Sequence, residues 1–258
     1  MKLRFIAALT ALSVNATAGF AADLPFKTAR PVAPIAYSWS GCYIGGQAGY
    51  TFGAQSDQSS FFELGPRTVN PQQSETASSW MVGGQVGCNY QFSSHAVIGT
   101  ETEAWYQDLK ATTAPIALTA PGEFRNMSFS NHVAVASSVR VGYAFDRLLV
   151  FGKVGAAFAS FKHYGFNSFG NLVPVDIYST GNNVSIGLLL GAGLEYAITN
   201  ELSIKGEYDY IDYGTVNHSY SVFQDVGTPI ASLLRGSSNT HERQQLVKIG
   251  LNYRLFGL

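Results

Sequence analysis

The segment Leu202–Gly214, LSIKGEYDYIDYG, alternates strictly: Ser203, Lys205, Glu207 and Asp209 share one parity, and Leu202, Ile204, Tyr208 and Tyr210 share the other. A period of two marks a strand with one polar and one apolar face. Only 13% of the 258 residues are charged, about half the fraction usual in a soluble domain. Three charges on one face of one short strand therefore need a reason, and the fold turns on which face meets water.

Hydrophobic residues make up 46% of the chain and aromatics 13%, with 27 glycines. Past the N-terminus no run reaches the roughly 18 apolar residues of a membrane-spanning helix, so a bilayer would be crossed by strands. The first residues, MKLRFIAALTALSVNATAGFAADLPF, place Lys2 and Arg4 before an apolar stretch from Phe5 to Val14 and then small residues up to Ala21. That is the anatomy of a secretory signal peptide over residues 1–21. Its removal changes the formal net charge from −1 to −3 by loss of Lys2 and Arg4. Residues 22–38, rich in proline, form an extended periplasmic segment, and residues 39–258 form the remaining domain. No basic block points to nucleic acid.

Alternation recurs to the C-terminus, predicting strands over 42–52, 80–92, 96–107, 133–145, 148–160, 184–197, 202–214 and 245–256. Three connections are tight: SSHA, DR and ITNE. The other four are long, near 53–79, 108–132, 161–183 and 214–244, and rich in Ser, Asn, Gly and Pro. Long and short connections alternate, as they do when odd strands leave one compartment and even strands return to it. Apolar-parity aromatics fall in two groups. Tyr90, Phe92, Tyr143, Phe145, Tyr196 and Tyr253 lie near the short turns; Tyr50, Phe52, Trp80, Tyr106, Phe158 and Tyr210 lie near the long loops. Two aromatic girdles around an apolar band mark a surface facing lipid.

The fold expected is an all-β, eight-stranded antiparallel up-and-down transmembrane barrel in the outer membrane, with four long extracellular loops and three short periplasmic turns. Closure removes the sheet edges that lipid leaves without hydrogen bonds. The polar parity then points inward, bringing Glu101, Glu103, Glu195, Glu207 and Asp209 together with Arg140, Lys153, Lys205, Lys248 and Arg254. Eight strands enclose a lumen just wide enough for side chains to fill, so these charges are expected to pair across it and not to line a channel.

The runs SWSGCYIGGQAGY, GGQVGCNYQF, VIGTETE, VRVGYAFDRLLVFGKVGAAFA, GAGLEYAITNELSIKGEYDYIDYG and VKIGLNYR resemble, in this order, the small opacity-type outer-membrane β-barrel family, especially its alphaproteobacterial branch. The resemblance covers the mature chain apart from the long loops. It implies an eight-stranded outer-membrane barrel with structural, surface-antigen or modest pore roles, some relatives being haem-binding. One departure stands out: such barrels commonly end on an aromatic residue read by the insertion machinery, whereas this chain ends NYRLFGL and parity points Phe256 inward.

Cys42 and Cys88, the two cysteines, lie on adjacent strands with the same parity. In an oxidising periplasm they form a disulfide if the register allows, and otherwise stand as two small apolar side chains. No Cys/His cluster suggests a metal, and glycine-rich GGQVG precedes no helix that would make it a phosphate loop. Ser130 near His132 and Ser219 beside His218 lack an acidic partner close in sequence, so no catalytic site and no enzyme is read here. Haem capture would draw on His163, Tyr164, His218 or Tyr220 in the long loops. The expected function is a non-enzymatic barrel that supports the envelope and presents loops at the surface, without a cofactor. A small-solute porin and a haem-binding surface receptor are the alternatives. Outer-membrane lipids, lipopolysaccharide and the insertion machinery are the expected partners, and the loops leave room for a host-surface ligand.

Overall fold

The computed structural model describes residues 37–64, 67–69, 72–112, 116–117, 123–169, 175–179, 183–224 and 232–256. The expected signal peptide and nearly all of the extended segment after it lie outside the described residues. Among the described residues there are eleven strands: β1 (Gly41–Leu64), β2 (Arg67–Val69), β3 (Gln72–Gln91), β4 (Ala96–Thr112), β5 (Ile116–Ala117), β6 (Glu123–Phe145), β7 (Leu148–Phe169), β8 (Val175–Ser179), β9 (Asn183–Ala197), β10 (Leu202–Gln224) and β11 (Ser232–Phe256). Eight of them, β1, β3, β4, β6, β7, β9, β10 and β11, pair antiparallel in sequence order, and β1 pairs with β11 to close the ring. The short β2, β5 and β8 extend the hairpins at the end opposite the tight turns.

The barrel strands are longer than alternation of apolar residues indicates. β1 runs to Leu64, β7 to Phe169 and β10 to Gln224, so much of what reads as loop is β-ribbon standing above the membrane. The reason is physical. Outside the bilayer the outer face of a strand meets water in place of lipid, and the backbone ladder holds polar residues in strand without an apolar face to announce it. At the other end, His95 and Asp146 take positive φ (68° and 52°) to close two of the tight turns.

Parity is realised as expected across the band: Trp80, Val141 and Ile186 are 78%, 60% and 65% exposed on the outer wall, whereas Lys205 and Asp209 are buried inside. Of the girdle aromatics, Phe52 and Tyr210 are only half-buried and the others are exposed. The Phe256 reading is overturned. Cys42 pairs with Phe256 but Tyr43 pairs with Arg254, so β11 carries one extra residue and its parity reverses at the end. Phe256 thus shares the outward side of the barrel and is 56% exposed.

Residues 37–40 cork the periplasmic opening. Trp39 is 3% exposed among Val97, Ala144, Leu149, Phe151 and Ala197. Its indole N–H donates to the Asp146 carbonyl (3.0 Å), and its backbone N–H donates to Gln91 Oε1 (2.7 Å). Beside the cork, Cys42 and Cys88 are direct cross-strand partners and form a disulfide between β1 and β3. A bridge over a sequence separation of 46 removes loop entropy worth about 4 kcal/mol from the unfolded chain. The Cys42→Ser/Cys88→Ser barrel, refolded in detergent, is expected to unfold at clearly lower urea concentration than the oxidised protein. Reduction of the native protein should reproduce the loss, and equal midpoints would show that the bridge contributes nothing to stability.

Candidate functional site

Inside the band, charge is concentrated in one connected cluster to which most strands contribute. Lys153 (β7) places Nζ 2.7 Å from Glu103 Oε1, 2.6 Å from Glu207 Oε1, 3.1 Å from Asp209 Oδ2 and 3.6 Å from Glu101 Oε1. Lys248 (β11) reaches Glu103, Glu207 and Asp209 at 2.6, 2.7 and 2.5 Å. Lys205 (β10) donates to both oxygens of Glu101 at 3.0 Å and meets Glu207 Oε2 at 3.0 Å. An ammonium has three N–H donors and a carboxylate accepts at both oxygens, so each lysine bridges several acids. Five acids face four cations here, however, and the Glu207 and Asp209 carboxylates meet the ammonium groups as ion pairs without well-aligned hydrogen bonds.

Toward the periplasm the cluster continues through Arg140 (β6). Its guanidinium donates to Glu195 Oε2 (2.8 Å) and to the Tyr43 hydroxyl (2.5 Å), and lies 4.0 Å from the centre of the Phe151 ring. Tyr43 donates onward to Glu101 (2.8 Å). The second oxygen of Glu195 accepts from Ser203 (2.6 Å) and Asn252 (2.7 Å), and Gln85 donates to Asn252 (2.6 Å). Nine of the ten expected inward charges meet in this cluster. Arg254 does not: it is half-buried at the periplasmic mouth, hydrogen-bonded to the Tyr37 hydroxyl and 4.6 Å from the centre of that ring. Its place in the last turn of β11, beside the reversal of parity, keeps it below the lumen.

Sequence reasoning passes over Tyr43, whose aromatic ring conceals that it stands on the polar parity. It also leaves the polar-parity residues Gln47, Gln85, Ser203 and Asn252 without a role. Glu101, Glu103 and Glu207 bring carboxylate oxygens within 4.8 Å of one another, the donor set of a cation site, but the Lys153 ammonium already sits among them.

Toward the long hairpins the lumen turns apolar, with Met81, Trp105, Leu109, Phe129, Phe161, Leu189, Ile211 and Leu246 all buried. A polar string crosses this layer, Thr51 donating to Gln107 (2.7 Å) and Gln107 to Asn131 (2.5 Å). Above it, Glu242 accepts from Ser56 (2.7 Å) and lies 2.8 Å from His163 Nε2. His163 is therefore a lumen residue on β7, 5% exposed, and not an exposed loop ligand. The side chains of Tyr164, His218, Ser219 and Tyr220 lie outside the described residues. Ser130 and His132 stand on the outer face of β6, where His132 Nε2 meets Asp108 at 3.2 Å, an acidic partner that only the folded register reveals.

Two outcomes follow from this geometry. Removing one partner from a buried ion cluster strands the others, a loss of about 3 to 5 kcal/mol, whereas the exposed Thr76 is free of such features and its change should stay within about 0.5 kcal/mol. Glu207→Ala and Lys248→Ala should therefore lower the unfolding midpoint strongly and Thr76→Ala should not; equal effects would mean a water-filled lumen. The second outcome concerns Glu75, on the extension of β3 above the membrane. Burial, reinforced by the Glu242 charge, pushes its carboxyl from the ordinary 4.5 up to about 8. Between those values the folded chain keeps a proton that the unfolded chain releases, so this contribution to stability is lost as pH rises through that window. Glu75→Gln should flatten the melting-temperature profile between about pH 5 and pH 8, and an unchanged slope would contradict the assignment.

Residues 5–254 match the family model described as outer membrane protein beta-barrel domain. A 31 kDa outer-membrane immunogenic protein of Brucella melitensis biotype 1 is 33% identical over 261 residues, covering 98% of this chain and all of the relative. A 22 kDa outer membrane protein of Rhizobium leguminosarum bv. viciae is 25% identical over 186 residues, covering 71% of this chain and 68% of its own. Among solved structures, the outer membrane protein OprG from Pseudomonas aeruginosa has the same fold, with a TM-score of 0.50 at 11% identity over 84% of this chain and 98% of that one. Closed ring, lipid-facing girdles and family match agree: the chain belongs to the outer-membrane β-barrel family and is an integral protein of the outer membrane.

Proposed function

We propose that the protein is a non-enzymatic structural barrel that stabilises the envelope and holds long β-hairpins at the cell surface, after delivery by a cleaved signal peptide over residues 1–21. The observation that carries this reading is the filled interior. The charge cluster, the apolar layer above it and the Trp39 cork below leave, at the periplasmic mouth, a cavity of about 20 Å³ beside Glu195 and Arg254, the volume of about one water molecule. A conducting pore would require its charges to line water, whereas these are buried against one another.

Surface presentation fits the long ribbons of β1, β6, β7, β10 and β11 and the immunogenic character named for the Brucella relatives. Phe256, facing outward at the end of the last strand, supplies the aromatic that the insertion machinery reads. An exposed haem ligand finds less support, since His163 is engaged inside the lumen with Glu242.

Planar-bilayer recording on the purified, refolded protein tests the proposal. The expected record shows no long-lived openings. Large, stable channels from protein with its disulfide and residues 37–40 intact would replace this reading with the small-solute porin.

A further inference from the structure

The outer wall just above the extracellular girdle is not uniform in charge. On the β10–β11–β1 side, each outward basic side chain among the described residues has its own acid: Arg243 meets Asp57 at 2.7 Å and His241 meets Asp212 at 3.1 Å. On the β4–β6–β7 side, Lys110 and His132 share one acid, Asp108, at 2.8 and 3.2 Å, and Lys162 makes no ion pair among the described residues. That sector carries excess positive charge.

Register lines these groups up. Lys110 on β4 is the cross-strand partner of Ser130 on β6, and Ser130 is the partner of Lys162 on β7. The backbones beneath the two lysines are therefore two strand spacings apart, about 10 Å, a span within reach of two lysine side chains turned toward the Ser130 hydroxyl between them. All three residues share the outward parity, and the Lys110 side chain is 63% exposed.

β-Bulges occur at this height on both sides of the barrel, in β1 and β10 as well as in β4 and β6 of this sector. Tyr106 pairs with Val133 but Leu109 with Asn131, giving β4 an extra residue; Asn131 pairs with Phe161 but Ala134 with Ala159, giving β6 one. The second bulge turns both His132 and Val133 to the outer face. Bulges re-aim side chains in this way and recur beside functional sites. Directly below stand Tyr106 and Phe158, girdle aromatics 53% and 40% exposed.

Cations and a hydroxyl one step above the aromatic belt, on the lipid-facing side, lie where the headgroups of the outer leaflet lie. We propose that Lys110, Ser130 and Lys162, with His132 beside them, form a binding site for the phosphate of an outer-leaflet lipid headgroup. The acyl chains would run down the wall past Tyr106, Phe158 and Val133. Two lysines and a hydroxyl supply charge-assisted hydrogen bonds suited to a phosphate monoester. The inference rests on placement in the outer membrane and is independent of whether the lumen conducts.

The test uses the refolded mature chain in phosphatidylcholine nanodiscs, titrated with bis-phosphorylated lipid A and with the same lipid dephosphorylated, bound lipid being counted by native mass spectrometry. The wild type is expected to prefer the phosphorylated lipid by about tenfold or more. Lys110→Gln/Lys162→Gln should abolish that preference, Lys162→Gln alone should reduce it several-fold, and Arg243→Gln should leave it unchanged. Heat-modifiable mobility in gels confirms that each variant is folded, and the single variant carries the test if the double one does not fold. The proposal is overturned if the lysine variants keep the wild-type preference, if the wild type does not distinguish the two lipids, or if Arg243→Gln does equal damage. Displacement of bound lipid by millimolar inorganic phosphate would identify a free-anion site instead and overturn the lipid assignment.

Discussion

Hydrocarbon offers no hydrogen-bond partner to a backbone amide, and that single constraint propagates through the structure. Every N–H and C=O within the band must find a neighbouring strand, so the first strand has to meet the last, and β1 pairs with β11 from Cys42 to Phe62. Closing on eight strands sets a lumen just wide enough for side chains to fill. Large inward groups then need small ones opposite. At Gly191 an added Cβ would fall 2.1 Å from Asp209 Oδ1 and 2.9 Å from Lys153 Cε, and at Gly87 it would fall 2.4 Å from the Tyr43 hydroxyl. Glycine at these positions makes room for a lysine, an aspartate and a tyrosine in a space set by backbone closure.

The charges inside are better understood as a specification of register than as a source of net stability. Burying ions costs several kcal/mol each, and a well-packed apolar lumen would often be as stable. What the cluster adds is a large penalty for error. A one-residue slip of β10 against β11 would turn Lys205, Glu207 and Asp209 toward lipid and break their links to Lys248 and Glu101. Because β4, β6, β7, β9, β10 and β11 all contribute to the cluster, the penalty applies around most of the ring. The disulfide between β1 and β3 pins the neighbouring sector, where Gln47 and Gln85 supply hydrogen bonds in place of ions.

The membrane-spanning part of this arrangement is legible in the amino-acid order because lipid on one side and a crowded lumen on the other impose opposite demands on alternate residues. Lys205, Glu207 and Asp209 declare their side by parity alone. Parity fails where that contrast ends. Above the bilayer, residues such as Ser56 and Glu75 lie in strands without an apolar face to mark them, and His163 looks like a loop residue although it is buried against Glu242. At the periplasmic end, one extra residue in β11 reverses the side on which Phe256 stands, and no local feature of NYRLFGL announces it. Trp39, in a proline-containing stretch with no alternation to place it, becomes a cork only because the Asp146 turn and Gln91 meet it there. Likewise the row Lys110–Ser130–Lys162 exists only through register, since its members are separated in sequence by 20 and 32 residues.

In the proposed reading the lumen is taken up by its own structural groups, and recognition falls to the surfaces. Two remain: the hairpins that project beyond the headgroups, and the outer wall at headgroup height. On that wall, among the described residues, each basic side chain on the β1, β10 and β11 side has its own acid, whereas the β4–β6–β7 side has more basic groups than acids, and both sides carry bulges at this level. An irregularity in a ladder that lipid otherwise keeps regular disrupts backbone pairing, and it is tolerated at this height because water reaches the backbone there. The position of the bulges, just outside the hydrocarbon and not within it, therefore follows from the same demand for satisfied backbone groups that closes the barrel.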